Sequence, residues 1–245
     1  MSGHSKWATT KRQKSVVDAK RGKTFTKLAN AIVMAARRGG GDPSSNVTLR
    51  LAMDKAREAN MPRENIERAI KRGTGELAGE TLEEFTYEAV GPGGSAFIIE
   101  GVTDKKTRTV ADIRQLLQHL GAKMAAVGSQ LWQFKRLGEL RLSVSPEQAE
   151  QAQLDAIESG AEDVLADTAA DGGEAGSGLI VLVQPTELAK VREQLVNKKY
   201  TVGEPIVAYR ATTRAELSEA DKAKALEIQS ALDEHDDVQQ VAVNF

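Results

Sequence analysis

Between Glu139 and Ala208 the apolar pattern switches four times between period two and helical period across six segments, and that order restricts the folds open to the chain. Glu139–Val144 reads as a strand. Pro146–Glu158 reads as a helix with Ala149, Ala152 and Ile157 facing inward. Glu162–Asp167 and Leu179–Val183 are strands around a loop rich in glycine, alanine and aspartate. Glu187–Lys198 is a helix, and Tyr200–Ala208 contains a last strand. Strand–helix–strand–strand–helix–strand is the ferredoxin-like split βαβ arrangement.

The flanking segments supply a second α+β set. Glu84–Val90 and Ser95–Val102 read as strands joined by the turn Gly91-Pro92-Gly93-Gly94. A helix is expected around Thr109–Leu120, and a strand near Ser129–Phe134. The final helix (Ser218–Leu232) and strand (Val238–Phe245) have no sheet of their own. They are expected to return to the sheet begun at residue 84, which makes the ferredoxin-like unit an insertion.

The first 75 residues differ from both. They hold 17 Lys+Arg against 6 Asp+Glu, whereas residues 76–245 hold 16 against 29, so a net charge of −2 conceals two opposite electrostatic objects. Residues 1–23 lack a periodic apolar face and read as a mobile basic arm that turns helical on binding. From Thr24 a helix is expected, with Phe25, Leu28, Ile32 and Ala36 at helical spacing and Arg37–Arg38 before Gly39-Gly40-Gly41. Ser44 and Ser45 are candidate caps for a second helix with a stripe of Leu49, Ala52, Met53 and Ala56. Pro62 suits the first turn of a third, with Ile66, Ala69 and Ile70 inward. Arg68, Lys71 and Arg72 then share a solvent face. The expected fold is α+β and multidomain. A basic helical bundle with its arm occupies 1–75, a discontinuous α+β domain 76–137 and 210–245, and an inserted ferredoxin-like domain 138–209.

Several chemistries find no support. The chain has no cysteine, which removes disulfides and thiolate sites and fits a reducing compartment. His4, His119 and His235 show no metal-ligand spacing. The acidic run Asp233, Glu234, Asp236 and Asp237 reads as a solvated helix end. There is no nucleophile elbow, and Gly91–Gly94 neither opens a helix nor precedes Lys-Ser/Thr, so it fails as a nucleotide loop. No apolar stretch approaches the roughly 18 residues of a membrane span. No catalytic residue, metal ligand or cofactor site is therefore expected, and an enzyme such as a divalent-metal nuclease is the remote alternative.

A single charge run is usually a solvated surface. Here residues 1–40 carry ten bases against one acid in an otherwise acidic protein, which favours a polyanion partner. The candidate nucleic-acid contacts are Lys6, Lys11, Arg12, Lys14, Lys20, Arg21, Lys23, Lys27, Arg37, Arg38, Arg68, Lys71 and Arg72. Trp7 is a candidate for stacking on an exposed base, although anchoring the arm on the bundle is the plainer role. No recognition helix offers a base-reading set, so weak sequence preference is expected.

Gly3-His4-Ser5-Lys6-Trp7, Asp18-Ala19-Lys20-Arg21-Gly22-Lys23, Phe25-Thr26-Lys27-Leu28 and Gly39-Gly40-Gly41-Asp42-Pro43 resemble the YebC-like proteins. So do Asn60-Met61-Pro62, Ile66-Glu67-Arg68-Ala69-Ile70, Gly91-Pro92-Gly93-Gly94, Arg108-Thr109-Val110-Ala111 and Asp237-Val238-Gln239…Asn244-Phe245. The resemblance runs nearly end to end. It implies a helical N-terminal domain and two α+β domains, one inserted in the other. It also implies a cytoplasmic transcriptional regulator that binds DNA, or a translational activator acting on ribosomal RNA at the ribosome. The acidic domains would face a protein partner. The family motif begins at residue 3, so no transit peptide is expected. Gln13 stands where a basic residue is common, and Ala122–Val127 replaces the family's usual Gly-Asn-Leu-Gly-like loop.

Overall fold

The first helix, α1, runs from His4 to Gly39 and passes through Gly22 without a break. It therefore starts twenty residues before the expected Thr24. Apolar periodicity reports which residues are buried, not which are helical. The Ala, Lys, Arg and Gln of this stretch are good helix formers, and its sequence carries no periodic apolar pattern. The computed structural model describes residues 4–77, 82–167 and 178–245, with side chains from residue 21 onward. The loop rich in glycine, alanine and aspartate lies for the most part outside the described residues.

Gly40, at φ 85°, turns the chain out of α1. Helix α2 (Val47–Glu58) is capped by Asn46, not by Ser44 or Ser45. The Asn46 Oδ1 accepts from the Leu49 amide at 3.0 Å, and its Nδ2 donates to the Ala35 and Gly40 carbonyls, both at 2.8 Å. One side chain thus caps α2 and ties it to the end of α1. The serines instead serve the preceding turn, where Asp42 accepts from the Ser44 amide at 2.9 Å. Helix α3 (Arg63–Thr74) starts after Pro62 and stops at Gly75, at φ 83°. Ile32, Ala36, Leu49, Met53, Ala56, Ile66 and Ala69 form a shared core that also takes in Leu82 and Val102.

Strands β1 (Glu83–Val90) and β2 (Ala96–Thr103) form an antiparallel hairpin with Val90 opposite Ala96. Its turn is a 3₁₀ segment at Pro92–Gly94, where Gly93 and Gly94 supply the positive φ angles. Helix α4 covers Lys106–His119, and the short strand β3 (Lys123–Met124) pairs with β1. Later in the chain come helix α7 (Glu219–Asp233), capped by Ser218, and strand β9 (Val238–Val243). The sheet order is β3-β1-β2-β9, so the last strand lies beside β2.

The second sheet is built on β4 (Phe134–Ser143). Two strands had been expected here, at 129–134 and 139–144; the first is replaced by a 3₁₀ turn at Leu131–Gln133. Gly138, between the two, continues the strand. A Cβ there would lie 2.7 Å from Leu188 Cδ1, so the glycine is needed for a helix to pack closely. Helix α5 (Ala149–Glu158), β5 (Asp163–Ala166), β6 (Gly178–Val183), α6 (Leu188–Asn197), β7 (Thr201–Val202) and β8 (Ile206–Ala211) follow. The order is β5-β6-β4-β7, with β8 also paired to β4, and every pairing is antiparallel. Leu140, Leu142, Val181 and Val183 face the helices, meeting Ala152, Ala156, Val191 and Leu195. Ile157, expected inward, is exposed, because Ala152 and Ala156 define the buried face of α5.

The fold is a mixed helical and antiparallel-sheet architecture. It divides into two compact units, Met1–Val127 with Leu217–Val241 and Gly128–Glu216 with Ala242–Phe245.

Candidate nucleic-acid interface

Six of the candidate contacts, Lys6, Trp7, Lys11, Arg12, Lys14 and Lys20, belong to the first half of α1, and their side chains lie outside the described residues. The remaining cations fall into two groups that the sequence did not distinguish.

The first group is engaged in the fold. Lys27 donates from Nζ to the Asp233 carbonyl at the end of α7. Burial pushes its ammonium pKa down, while the carboxylates of Asp233 and Asp236 pull it back up. Arg37 donates to the Leu82 carbonyl at 2.6 Å, and Arg38 pairs with Glu84 at the start of β1. Lys23 lines a depression with Arg108, Asp112, Glu234, His235, Asp236 and Asp237, where acids outnumber bases. A phosphate approaching Lys23 from that side meets carboxylates.

In the second group, Arg68 and Arg72 line a cleft of about 290 Å³ between α1 and α3. Its walls are apolar at Phe25, Ala29, Val33, Met61 and Ala69, and polar at Thr26, Asn30, Asn65, Arg68 and Arg72. The guanidinium of Arg21 lies 5.2 Å from the centroid of the Phe25 ring, which adds a third cation at this end of the bundle. Arg68 and Arg72 are four residues apart and so lie on one side of α3. Among the described residues, neither Arg68 nor Lys71 has a side-chain hydrogen bond or ion pair. The two helices meet closely at Gly73, where a Cβ would come within 2.5 Å of the Val33 carbonyl oxygen and 2.7 Å of Ala36 Cβ.

Sequence reasoning found the cations and missed the amides. Asn30 is a polar residue in mid-helix, where asparagine is unfavourable. It sits four residues after Thr26 and three before Val33, in line with the buried stripe. That misfit was the available signal. Elsewhere, among the described residues, no group of three or more histidines and carboxylates gathers as a metal site. No helix is long and apolar enough to cross a membrane.

Residues 5–76 match the TACO1/YebC protein N-terminal domain, and residues 82–245 match the TACO1/YebC second and third domain. The chain belongs to the TACO1/YebC family. A relative from Fervidobacterium nodosum, named a probable transcriptional regulatory protein, is 44% identical over 246 residues, covering 100% of this chain and 94% of its own length. One of the same name from Acidithiobacillus ferrooxidans is 45% identical over 247 residues, covering 100% and 94%. The crystal structure of a conserved hypothetical protein from Aquifex aeolicus superposes with a TM-score of 0.79 at 38% identity, covering 94% of this chain and 91% of that one. TACO1/YebC relatives thus carry regulatory names, and the fold is shared with a crystal structure 38% identical in sequence.

Proposed function

We propose that the chain is a regulatory protein that binds nucleic acid through its basic helical N-terminal segment, with DNA as the target and transcription as the process. The observation that carries this reading is the charge excess of residues 1–75, 17 bases against 6 acids, on a helical bundle whose Arg68 and Lys71 side chains make no hydrogen bond or ion pair among the described residues. Cations without internal partners remain available to displace counterions from phosphates. Lys6, Lys11, Arg12, Lys14, Lys20, Arg21, Arg68, Lys71 and Arg72 are the proposed contacts. Lys27, Arg37 and Arg38 act chiefly in the fold, and Lys23 stands beside carboxylates as a weaker contact. The names of the relatives support a transcriptional role.

A translational role at the ribosome uses the same surface on RNA. The amide-lined cleft favours it, because duplex DNA does not present splayed bases. Co-sedimentation with ribosomes at moderate salt, set beside binding to duplex promoter DNA, separates the two. Retention on ribosomes with weak duplex binding moves the assignment to translation, and the reverse keeps it with transcription.

The finer domain division proposed is a bundle over 1–75, an α+β domain over 76–137 and 210–245, and an inserted ferredoxin-like domain over 138–209. The strand order of the second sheet supports the last. We assign the acidic domains to a protein partner and the chain to the cytoplasm, with no catalytic activity of its own.

A further inference from the structure

We infer that the cleft between α1 and α3 holds one nucleotide whose base has left its stack, so that the protein prefers single-stranded nucleic acid. This rests on the nucleic-acid reading and adds a ligand site to it. Asn30 lines the cleft and is only 8% exposed, yet among the described residues its side chain has no hydrogen-bond partner. The Asn30 amide is not sealed off, so its donor and acceptor are open to a ligand in the cleft. Asn65 lines the same cleft from α3. A carboxamide offers a donor and an acceptor side by side, which matches the edge of a base and is wasted on a phosphate.

The rest of the lining agrees with that ligand. Phe25 and Met61 provide an aromatic and a thioether wall for the face of a ring. Arg68 and Arg72 supply guanidiniums suited to the phosphate attached to that nucleotide. The volume, about 290 Å³, is at the lower end of small-molecule sites and suits one nucleotide. Extruding a base from a duplex has an energetic cost that a single strand avoids. The cleft therefore selects strands with free bases.

The test uses the full chain with its methionine methyls isotopically labelled. Met61 serves as the reporter, and its signal is assigned through Met61→Leu. The probes are a short oligoadenylate strand, the same strand in duplex, and adenosine monophosphate. The Met61 methyl signal is expected to shift with the single strand. Affinity for the strand should fall about tenfold or more in Asn30→Leu and in Asn65→Ala, with duplex binding unchanged. Asn65→Ala is the safer variant, because Asn65 is only half-buried. A Met61 shift with the monophosphate but not the strand keeps the nucleotide site and assigns it to a free nucleotide. Strand binding that neither moves Met61 nor weakens in either variant overturns the cleft and leaves the nucleic-acid reading standing. Absence of binding to all three probes overturns both.

Discussion

The Thr109 hydroxyl donates to Asp237 Oδ2 at 2.6 Å, joining two residues 128 positions apart in the chain. Thr109 is fully buried in the first turn of α4 and also shares a 2.7 Å hydroxyl contact with Thr103, the last residue of β2. The Asp237 carbonyl accepts from the Val102 amide at 2.9 Å, and its carboxylate lies 3.4 Å from Arg108. One aspartate in the turn before β9 thus fastens that turn to both the strand and the helix.

Asp237→Ala removes the charge-assisted hydrogen bond from the Thr109 hydroxyl and leaves it only Thr103 and the Lys105 carbonyl. The expected loss is about 2 kcal/mol, or roughly 4–8 °C in melting temperature for a chain of this size. Asp237→Asn keeps an acceptor in place and should lose less than half as much. Thermal unfolding of both variants checks the ranking; equal losses would point to packing instead of the hydrogen bond.

Gly73→Ala sets two effects of opposite sign against each other. Alanine in place of glycine in the last turn of α3 gains at most about 1 kcal/mol of helix propensity. The added Cβ falls 2.5 Å from the Val33 carbonyl oxygen, which is backbone and cannot swing aside. Overpacking of this kind costs about 1–3 kcal/mol. The clash should win, and denaturant titration should show a net destabilisation. A stabilised variant would mean that α1 and α3 separate more easily than their packing implies.

Acid stability carries a sign that can be worked out. Asp155 accepts from Lys198 Nζ and from the Tyr200 hydroxyl, each at 2.5 Å, and these bonds hold its pKa below the usual 3.8. A carboxyl depressed in the folded state stabilises the protein above its unfolded pKa, and the contribution disappears as pH falls through the folded value. Lys198→Met combined with Tyr200→Phe should therefore be less stable than the parent at pH 6. The gap should close once the pH has fallen well below 3.8. Urea titrations at the two ends of that range measure it, and a gap that persisted in acid would assign the loss to packing.

How much of this was legible in the sequence depended on the kind of signal. Leu49, Met53 and Ala56 of α2 recur at helical spacing because that spacing puts them in the core, and all three are buried. Their helix could be read directly. The first half of α1 has no periodic apolar pattern to announce it, so its helicity was hidden. Asn46 went unnoticed as a cap because Ser44 and Ser45 are equally good cap residues, and only the nearby Ala35 and Gly40 carbonyls decide between them. That β4 runs unbroken through Gly138 was also hidden, because the close approach of Leu188 there is a tertiary fact. At the candidate interface, charge was visible but its use was not. Arg37 and Arg68 are alike in sequence, yet one holds the Leu82 carbonyl and the other faces a cleft.

The most direct test of the account is the salt dependence of nucleic-acid affinity for the full chain, compared with Lys20→Glu, Arg21→Glu, Lys23→Glu. Lys23 stands partly among acids, so two to three phosphate contacts should be lost. The slope of log affinity against log salt should become shallower by roughly 1.4–2 units for a single strand and about 2–3 for duplex DNA. An unchanged slope and affinity in the triple variant would contradict the claim that the basic helical segment grips phosphate.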